Sequence, residues 1–344
     1  MVLHKVFGVE RDIDIGADVF PTPEEIAKLE APLGEHEHGW FDSCIAGAKL
    51  HTRAFLPKKE PKAVVVFLHG VTAHSGEAFE LSDGRKTVVA LMRQVFNKAG
   101  IALHSFDQYG HGYSEGTRFF IPTYEENLED TMKFIKMVDE KYEGKIPVFI
   151  MGTSYGGNLT IHASRRIQDD PSVGPKKFGG VIMFCPAVIG DMPPKPVYLT
   201  LRYLLAPLFP RWTPFFMPNP VSADRIWKEP EVLKLRTDPR LREMNIIGTG
   251  LPFRLGTAVS LVRALEDAVN ISIPGYKVPF FLVHGTEDHG VKIEGSEFLW
   301  RTADTPNEAR EFHHIEGGYH DLFSMQDSPK YVEMAVAWME KRMK

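Results

Sequence analysis

The chain has 344 residues, 43% of them hydrophobic and 25% charged, and its 45 acidic and 40 basic side chains leave a formal charge of −5. This is ordinary globular composition with ample apolar content for a core, so disordered, collagen-like and repeat architectures are excluded. The mildly acidic balance, with no basic run, excludes nucleic acid as a default partner. No uncharged apolar stretch of 18 residues is present to span a membrane.

Met1 to Asp14 is too charged for a secretory signal. Residues 1–40 show little periodicity and read as an N-terminal extension. The two cysteines, Cys44 and Cys185, cannot make a disulfide framework. Both read as buried thiols in a reducing compartment, which predicts a cytoplasmic location.

Alternation begins at Lys49, with Leu50, Thr52, Ala54 and Leu56 on one face of an extended run. Ala63 to Leu68 (AVVVFL) is a β-branched run of the kind buried on both faces of a sheet. Val88, Leu91, Met92, Val95, Phe96 and Ala99 recur at helical spacing, and Gly100 ends that helix. Ile101–Phe106 is the next strand. Thr123 and Glu126 form a capping box ahead of a helix marked by Leu128, Thr131, Ile135, Val138 and Tyr142.

A strand at Ile146–Met151, a helix at Gly157–Ile167 and a strand at Val181–Cys185 follow. The alternation lapses between Ala187 and Leu251. It resumes with a helix at Thr257–Val269, a strand at Pro279–His284, a helix at Gly295–Arg301, a strand at Arg310–Ile315 and a closing helix from Pro329. This order predicts an α/β fold: a mostly parallel central sheet with helices on both faces and an inserted cap. Ligands bind such sheets at the carboxyl ends of the strands.

Gly152-Thr153-Ser154-Tyr155-Gly156 is a G-x-S-x-G sequence lying directly between a strand and a helix. That is the context of a nucleophile elbow, where a strained turn projects the serine hydroxyl over a helix N-terminus. A serine hydroxyl attacks only when a base removes its proton. Of 14 histidines, His320 has the right placement, in the loop after the last strand. His313 and His314 lie within that strand, and His69, His104 and His284 read as structural.

The acid that orients the base belongs after the Pro279–His284 strand, where Glu287 and Asp288 are both candidates. Asp288 is chosen because a short carboxylate is held more rigidly in a turn. The oxyanion donors are the backbone N–H groups of Tyr155 and Val71, the latter in the loop after the first parallel strand. No residues call for a metal or a cofactor.

Together these pieces resemble the α/β-hydrolase superfamily, and within it the monoacylglycerol lipase and lysophospholipase branch. The residues that carry the likeness are HGVTAHSG (His69–Gly76), FDQYGHGYSEG (Phe106–Gly116), GTSYGG (Gly152–Gly157), HGTEDHGV (His284–Val291) and GGYHDLF (Gly317–Phe323). The resemblance implies Ser154, Asp288 and His320 as a catalytic triad and Val71 and Tyr155 as oxyanion donors. It also implies a cap at 187–252 inserted between core segments 41–186 and 253–344. The chain departs from the family at Thr153 and Tyr155, where His or Glu and Met or Leu are usual. It departs again at Glu77 and Ala78, where mammalian monoacylglycerol lipases carry Arg-Tyr.

Pro196 to Val221 holds six aromatics and six prolines in 26 residues, with only Arg202 and Arg211 charged. The bland reading of Tyr198, Leu201, Leu204, Leu205 and Leu208 is one core face of a helix. As a whole, the segment reads as an apolar lid that accepts an acyl chain and contacts a membrane or micelle surface peripherally. Tyr198, Leu201, Leu205, Phe209 and Phe215 are its candidate substrate contacts.

The expected function is hydrolysis of a small acyl ester, monoacylglycerol or lysophospholipid, through an acyl-enzyme intermediate. An acyltransferase or a serine peptidase would keep the same triad. A non-catalytic lipid-binding protein is the reading from outside the enzymes.

Overall fold

The computed structural model describes residues 22–45, 47–215, 217, 221–243, 248 and 251–343. Residues 1–21 of the expected N-terminal extension and parts of the expected cap at 187–252 lie outside that set. Eight strands form one sheet: β1 (Glu37–Asp42), β2 (Lys49–Phe55), β3 (Ala63–Leu68), β4 (Ile101–Phe106), β5 (Val148–Thr153), β6 (Phe178–Phe184), β7 (Phe280–Gly285) and β8 (Arg310–Ile315). Their spatial order is β1-β2-β4-β3-β5-β6-β7-β8. β1 and β2 pair antiparallel, as do β2 and β4, and every other neighbouring pair is parallel.

β3 shows why apolar runs take this place. Successive side chains of a strand point to opposite faces. Val64, Val66 and Leu68 pack with the helices Tyr124–Lys141 and Tyr155–Asp169, whereas Ala63, Val65 and Phe67 pack with Val88–Lys98 and Ser328–Glu340. Both layers are covered, so no position of the strand tolerates a polar residue. Thr123 caps its helix as expected, its Oγ1 accepting the Glu126 N–H at 3.2 Å.

Two expectations need correction. The stretch before residue 40 is not featureless, because it holds the helix Pro23–Glu30 and the start of β1. β1 is an edge strand of polar sequence (EHGWFD) with only Phe41 buried, so it carries no apolar period to read. Cys44 is exposed rather than buried; its backbone N–H donates to Asp130 Oδ1 at 2.6 Å.

Between β6 and the helix Leu255–Asp267 the chain leaves the sheet. Lys195–Thr200 runs through a widened turn at Leu201–Leu205 into Ala206–Leu208, and the short helices Ala223–Ile226, Pro230–Arg236 and Pro239–Glu243 follow. No helix among the described residues is long and apolar enough to cross a membrane.

Candidate active site

Ser154 sits between β5 and the helix Tyr155–Asp169 at φ 56° and ψ −123°, a region that L-residues rarely occupy. Glycines make the turn possible. A Cβ at Gly156 would lie 2.0 Å from the Leu68 carbonyl oxygen, and one at Gly152 would lie 2.2 Å from the Gly156 oxygen. The chain is then fixed on both sides: Ser154 N–H donates to the Phe184 carbonyl at 3.2 Å, and its own carbonyl accepts the Ala187 N–H at 2.9 Å.

The loops after β7 and β8 bring the other two candidates together. Asp288 Oδ2 lies 2.7 Å from His320 Nδ1. Its Oδ1 accepts the N–H groups of Gly290 and Val291, each at 2.8 Å, which locks the carboxylate plane. Glu287, the rejected alternative, instead pairs with Lys228 at 3.3 Å on the surface. Burial alone would lower the His320 pKa, but the charge of Asp288 and its hydrogen bond override that and raise it above the ordinary imidazole value. Burial would raise the Asp288 carboxyl; His320 and His284 outweigh it and hold the group below the usual carboxylate range.

Sequence reasoning set His284 among the structural histidines, and it proves to be a direct partner of the acid. Its Nε2 lies 3.1 Å from Asp288 Oδ2, and its Nδ1 meets Ser296 Oγ at 2.7 Å. The available signal was the spacing His284 to Asp288, which brackets one tight turn.

His320 Nε2 is buried without a hydrogen-bond partner among the described residues. His320 and Ser154 both line a small cavity of about 80 Å³, together with Val71, Thr72, Glu77 and Arg236. On the other side of Ser154 lies an apolar cavity of about 310 Å³, lined by Tyr198, Leu201, Ile189, Val262, Leu265 and others. The Gly70–Val71 loop presses against the serine, since a Cβ at Gly70 would lie 3.1 Å from Ser154 Cβ. Val71 lines both cavities.

That loop is held from behind. His69 Nδ1 donates to the Gly70 carbonyl at 2.7 Å, and its Nε2 accepts the Gln108 N–H at 3.0 Å. The Gln108 amide also joins Asn127, whose Nδ2 donates to the Tyr155 hydroxyl at 3.2 Å. The unusual Tyr155 therefore supplies a buried polar group that this network satisfies.

Of the candidate substrate contacts, Tyr198 and Leu201 line the apolar cavity. Leu205, Phe209 and Phe215 are not among the described linings, and Phe215 is 93% exposed. The widened turn at Leu201–Leu205 breaks the 3.6-residue spacing on which Leu205 was read as sharing a face with Tyr198 and Leu201. Opposite them, the helix Leu255–Asp267 contributes Ala258, Val259, Leu261, Val262 and Leu265, which the sequence left as an ordinary covering helix.

The Hydrolase_4 family model, described as serine aminopeptidase S33, matches residues 59–327. An abhydrolase domain-containing protein of Dictyostelium discoideum is 27% identical over 294 residues, which cover 85% of this chain; the chain spans 28% of that protein's length. The monoglyceride lipase of Rattus norvegicus is 27% identical over 304 residues, 88% of this chain and 86% of that one. A soluble variant of the Saccharomyces cerevisiae monoglyceride lipase, solved with a substrate analogue, superposes with a TM-score of 0.67 at 18% identity, covering 90% of this chain and 96% of that chain. This last likeness is one of fold. The chain belongs to the Hydrolase_4 family: it is an α/β-hydrolase of the monoglyceride-lipase-like kind, a carboxylic ester hydrolase.

Proposed function

We propose that the chain cleaves carboxylic esters of single acyl chains, monoacylglycerol or lysophospholipid, through an acyl-enzyme intermediate. Ser154 Oγ attacks the ester carbonyl while His320 Nε2 takes its proton. Asp288 holds Nδ1–H and stabilises the imidazolium that forms. The negative oxygen is received by the backbone N–H groups of Val71 and Tyr155, worth about 3 kcal/mol each in a water-poor site. His320 then protonates the departing alcohol, and water admitted to the same place releases the fatty acid.

One observation carries this reading. His320 and Ser154 line one cavity, the Nδ1 edge of the ring is already occupied by Asp288, and Nε2 has no hydrogen-bond partner among the described residues. The division of space around Ser154 supports the substrate class. The larger cavity is close to the lower bound of about 300–1,000 Å³ usual for ligand pockets and is lined mainly by aliphatic side chains. Each methylene buried there contributes about 0.8 kcal/mol, so eight contribute roughly 6 kcal/mol gross. The smaller cavity, with Thr72, Glu77 and Arg236, fits the polar alcohol half.

The peptidase reading needs a free carboxylate for a peptide's terminal ammonium, and the acids that line the cavities are engaged. Asp191 pairs with Lys292 at 2.9 Å and Arg225 at 3.6 Å, Glu77 pairs with Arg236, and Asp321 accepts the Phe323 N–H at 2.9 Å. An acyltransferase would share every group named, and product analysis with added alcohol separates the two. The direct test is Ser154→Ala, expected to lose fluorophosphonate labelling and hydrolysis of monoacylglycerol while keeping its thermal unfolding transition. Turnover retained by a folded variant would overturn the assignment.

A further inference from the structure

Far from Ser154 in the chain, the end of the helix Pro23–Glu30 meets the start of β1. His36 and His38 are two residues apart, a spacing that puts both side chains on one face of an extended segment. Their Nε2 atoms lie 3.7 and 3.6 Å from the same oxygen, Glu30 Oε2. These distances are too long for hydrogen bonds. The His36 side chain is only 6% exposed, and its Nε2 is buried without a partner among the described residues.

The surrounding hydrogen bonds fix where the ring protons are. Asp107 is fully buried and ion-paired with Arg53 at 3.1 Å, so it accepts from His51 Nδ1 at 3.2 Å. His51 Nε2 is then an acceptor, and it takes the Nδ1–H of His38 at 2.9 Å. His36 Nδ1–H donates to the Gly34 carbonyl at 2.7 Å. Both Nδ1 protons being committed, both Nε2 atoms present lone pairs toward a carboxylate oxygen. Three electron-rich atoms converge, within 4.8 Å of one another.

We propose that Glu30, His36 and His38 bind a divalent transition metal of the zinc class, which clamps the N-terminal helix to the edge of the sheet. Two imidazole nitrogens and a carboxylate are a zinc donor set, with ligand bonds of about 2.0–2.2 Å. A tetrahedral site with such bonds puts its ligand atoms roughly 3.3 Å apart, and small side-chain shifts from 3.6 and 3.7 Å reach that spacing. Glu30 Oε1 is oriented by Arg53 Nη2 at 2.9 Å, and His38 by the His51–Asp107 relay. These outer contacts are the kind that position metal ligands. With Glu30 and Asp107 negative and Arg53 positive, the cluster carries one excess negative charge, which favours a dication over a neutral occupant. The His38 side chain is 45% exposed, so the ion has an open side for a water ligand and a path of entry.

The test is titration of the full chain with ZnCl₂ by calorimetry and with CoCl₂ by visible absorption. One equivalent should bind, with a four-coordinate cobalt spectrum lacking a thiolate charge-transfer band and a raised melting temperature. His38→Asn, at a half-exposed position, should abolish that binding and the melting shift. His51→Asn should weaken binding by about 10–100-fold. A second group with the spacing of a metal site, Cys185, His284 and Asp288, lies beside the proposed catalytic acid. Binding that survives His38→Asn, or a thiolate band lost in Cys185→Ser, assigns the ion to that group and overturns the proposal. No binding by the unaltered chain overturns it too.

Discussion

His320 Nδ1 lies 2.7 Å from Asp288 Oδ2, while the opposite edge of the same ring, Nε2, is buried without a hydrogen-bond partner among the described residues. One edge is committed and the other is available. In the proposed mechanism His320 must be neutral to accept the Ser154 proton, so activity should require its deprotonation. Asp288 raises the His320 pKa, and the rising limb of kcat/KM against pH should therefore centre above the ordinary imidazole value of about 6.5. Asp288→Asn removes the charge, so the limb should move to lower pH while kcat falls by about 10⁴. An unchanged limb in a folded Asp288→Asn variant would separate His320 from the titration.

Glu77 and Arg236 form an ion pair with side chains only 7% and 2% exposed, joining the loop after β3 to the helix Pro230–Arg236. Arg236 also lies over the Trp227 ring, 4.7 Å from its centroid. Glu77→Gln leaves a buried guanidinium without its counter-charge. Urea denaturation should show a loss of about 3–5 kcal/mol. The double variant Glu77→Leu with Arg236→Met should recover most of it, because no buried charge remains. A loss below 1 kcal/mol in the single variant would mean that water reaches the pair.

Ala258 lines the apolar cavity from the helix Leu255–Asp267. Ala258→Phe fills space that a chain would occupy without touching Ser154. Displacing two methylenes costs about 1.6 kcal/mol, so kcat/KM for a long-chain monoacylglycerol should drop about tenfold. Turnover of p-nitrophenyl acetate should stay within about twofold. Equal losses on both substrates would remove this cavity from acyl recognition.

Tyr203, Leu204 and Leu208 are 67%, 56% and 62% exposed on one helical stretch of the cap. Such a cluster on a surface segment fits contact with a lipid interface. Leu204→Glu with Leu208→Glu should reduce co-sedimentation with phosphatidylcholine vesicles and leave hydrolysis of a dissolved short-chain ester unchanged. Absence of vesicle binding by the unaltered chain would end this reading.

Much of the fold was legible because its strands are buried on both faces. AVVVFL, FIMGT and FFLVHG have no polar alternative to a central parallel sheet, and the ends of the last two place Ser154 and Asp288 on one edge; His320 follows β8, a half-buried strand. Boundaries shifted by about two residues, as at Val148–Thr153, where the strand runs up to the residue before Ser154. β1 was not legible, because an edge strand open to solvent needs no apolar period.

Chain order and local spacing alone determined the elbow at Ser154, the loop positions of Asp288 and His320 and the interruption of the sheet after β6. These follow from short-range sterics and burial that a few neighbouring residues specify. Tertiary structure alone decided that His284 supports Asp288, that the helix Leu255–Asp267 walls the apolar cavity and that Cys44 reaches solvent. It alone decided that Glu30, His36 and His38 converge. Each of these depends on where a side chain points relative to an element far away in the chain, and no local period encodes that direction.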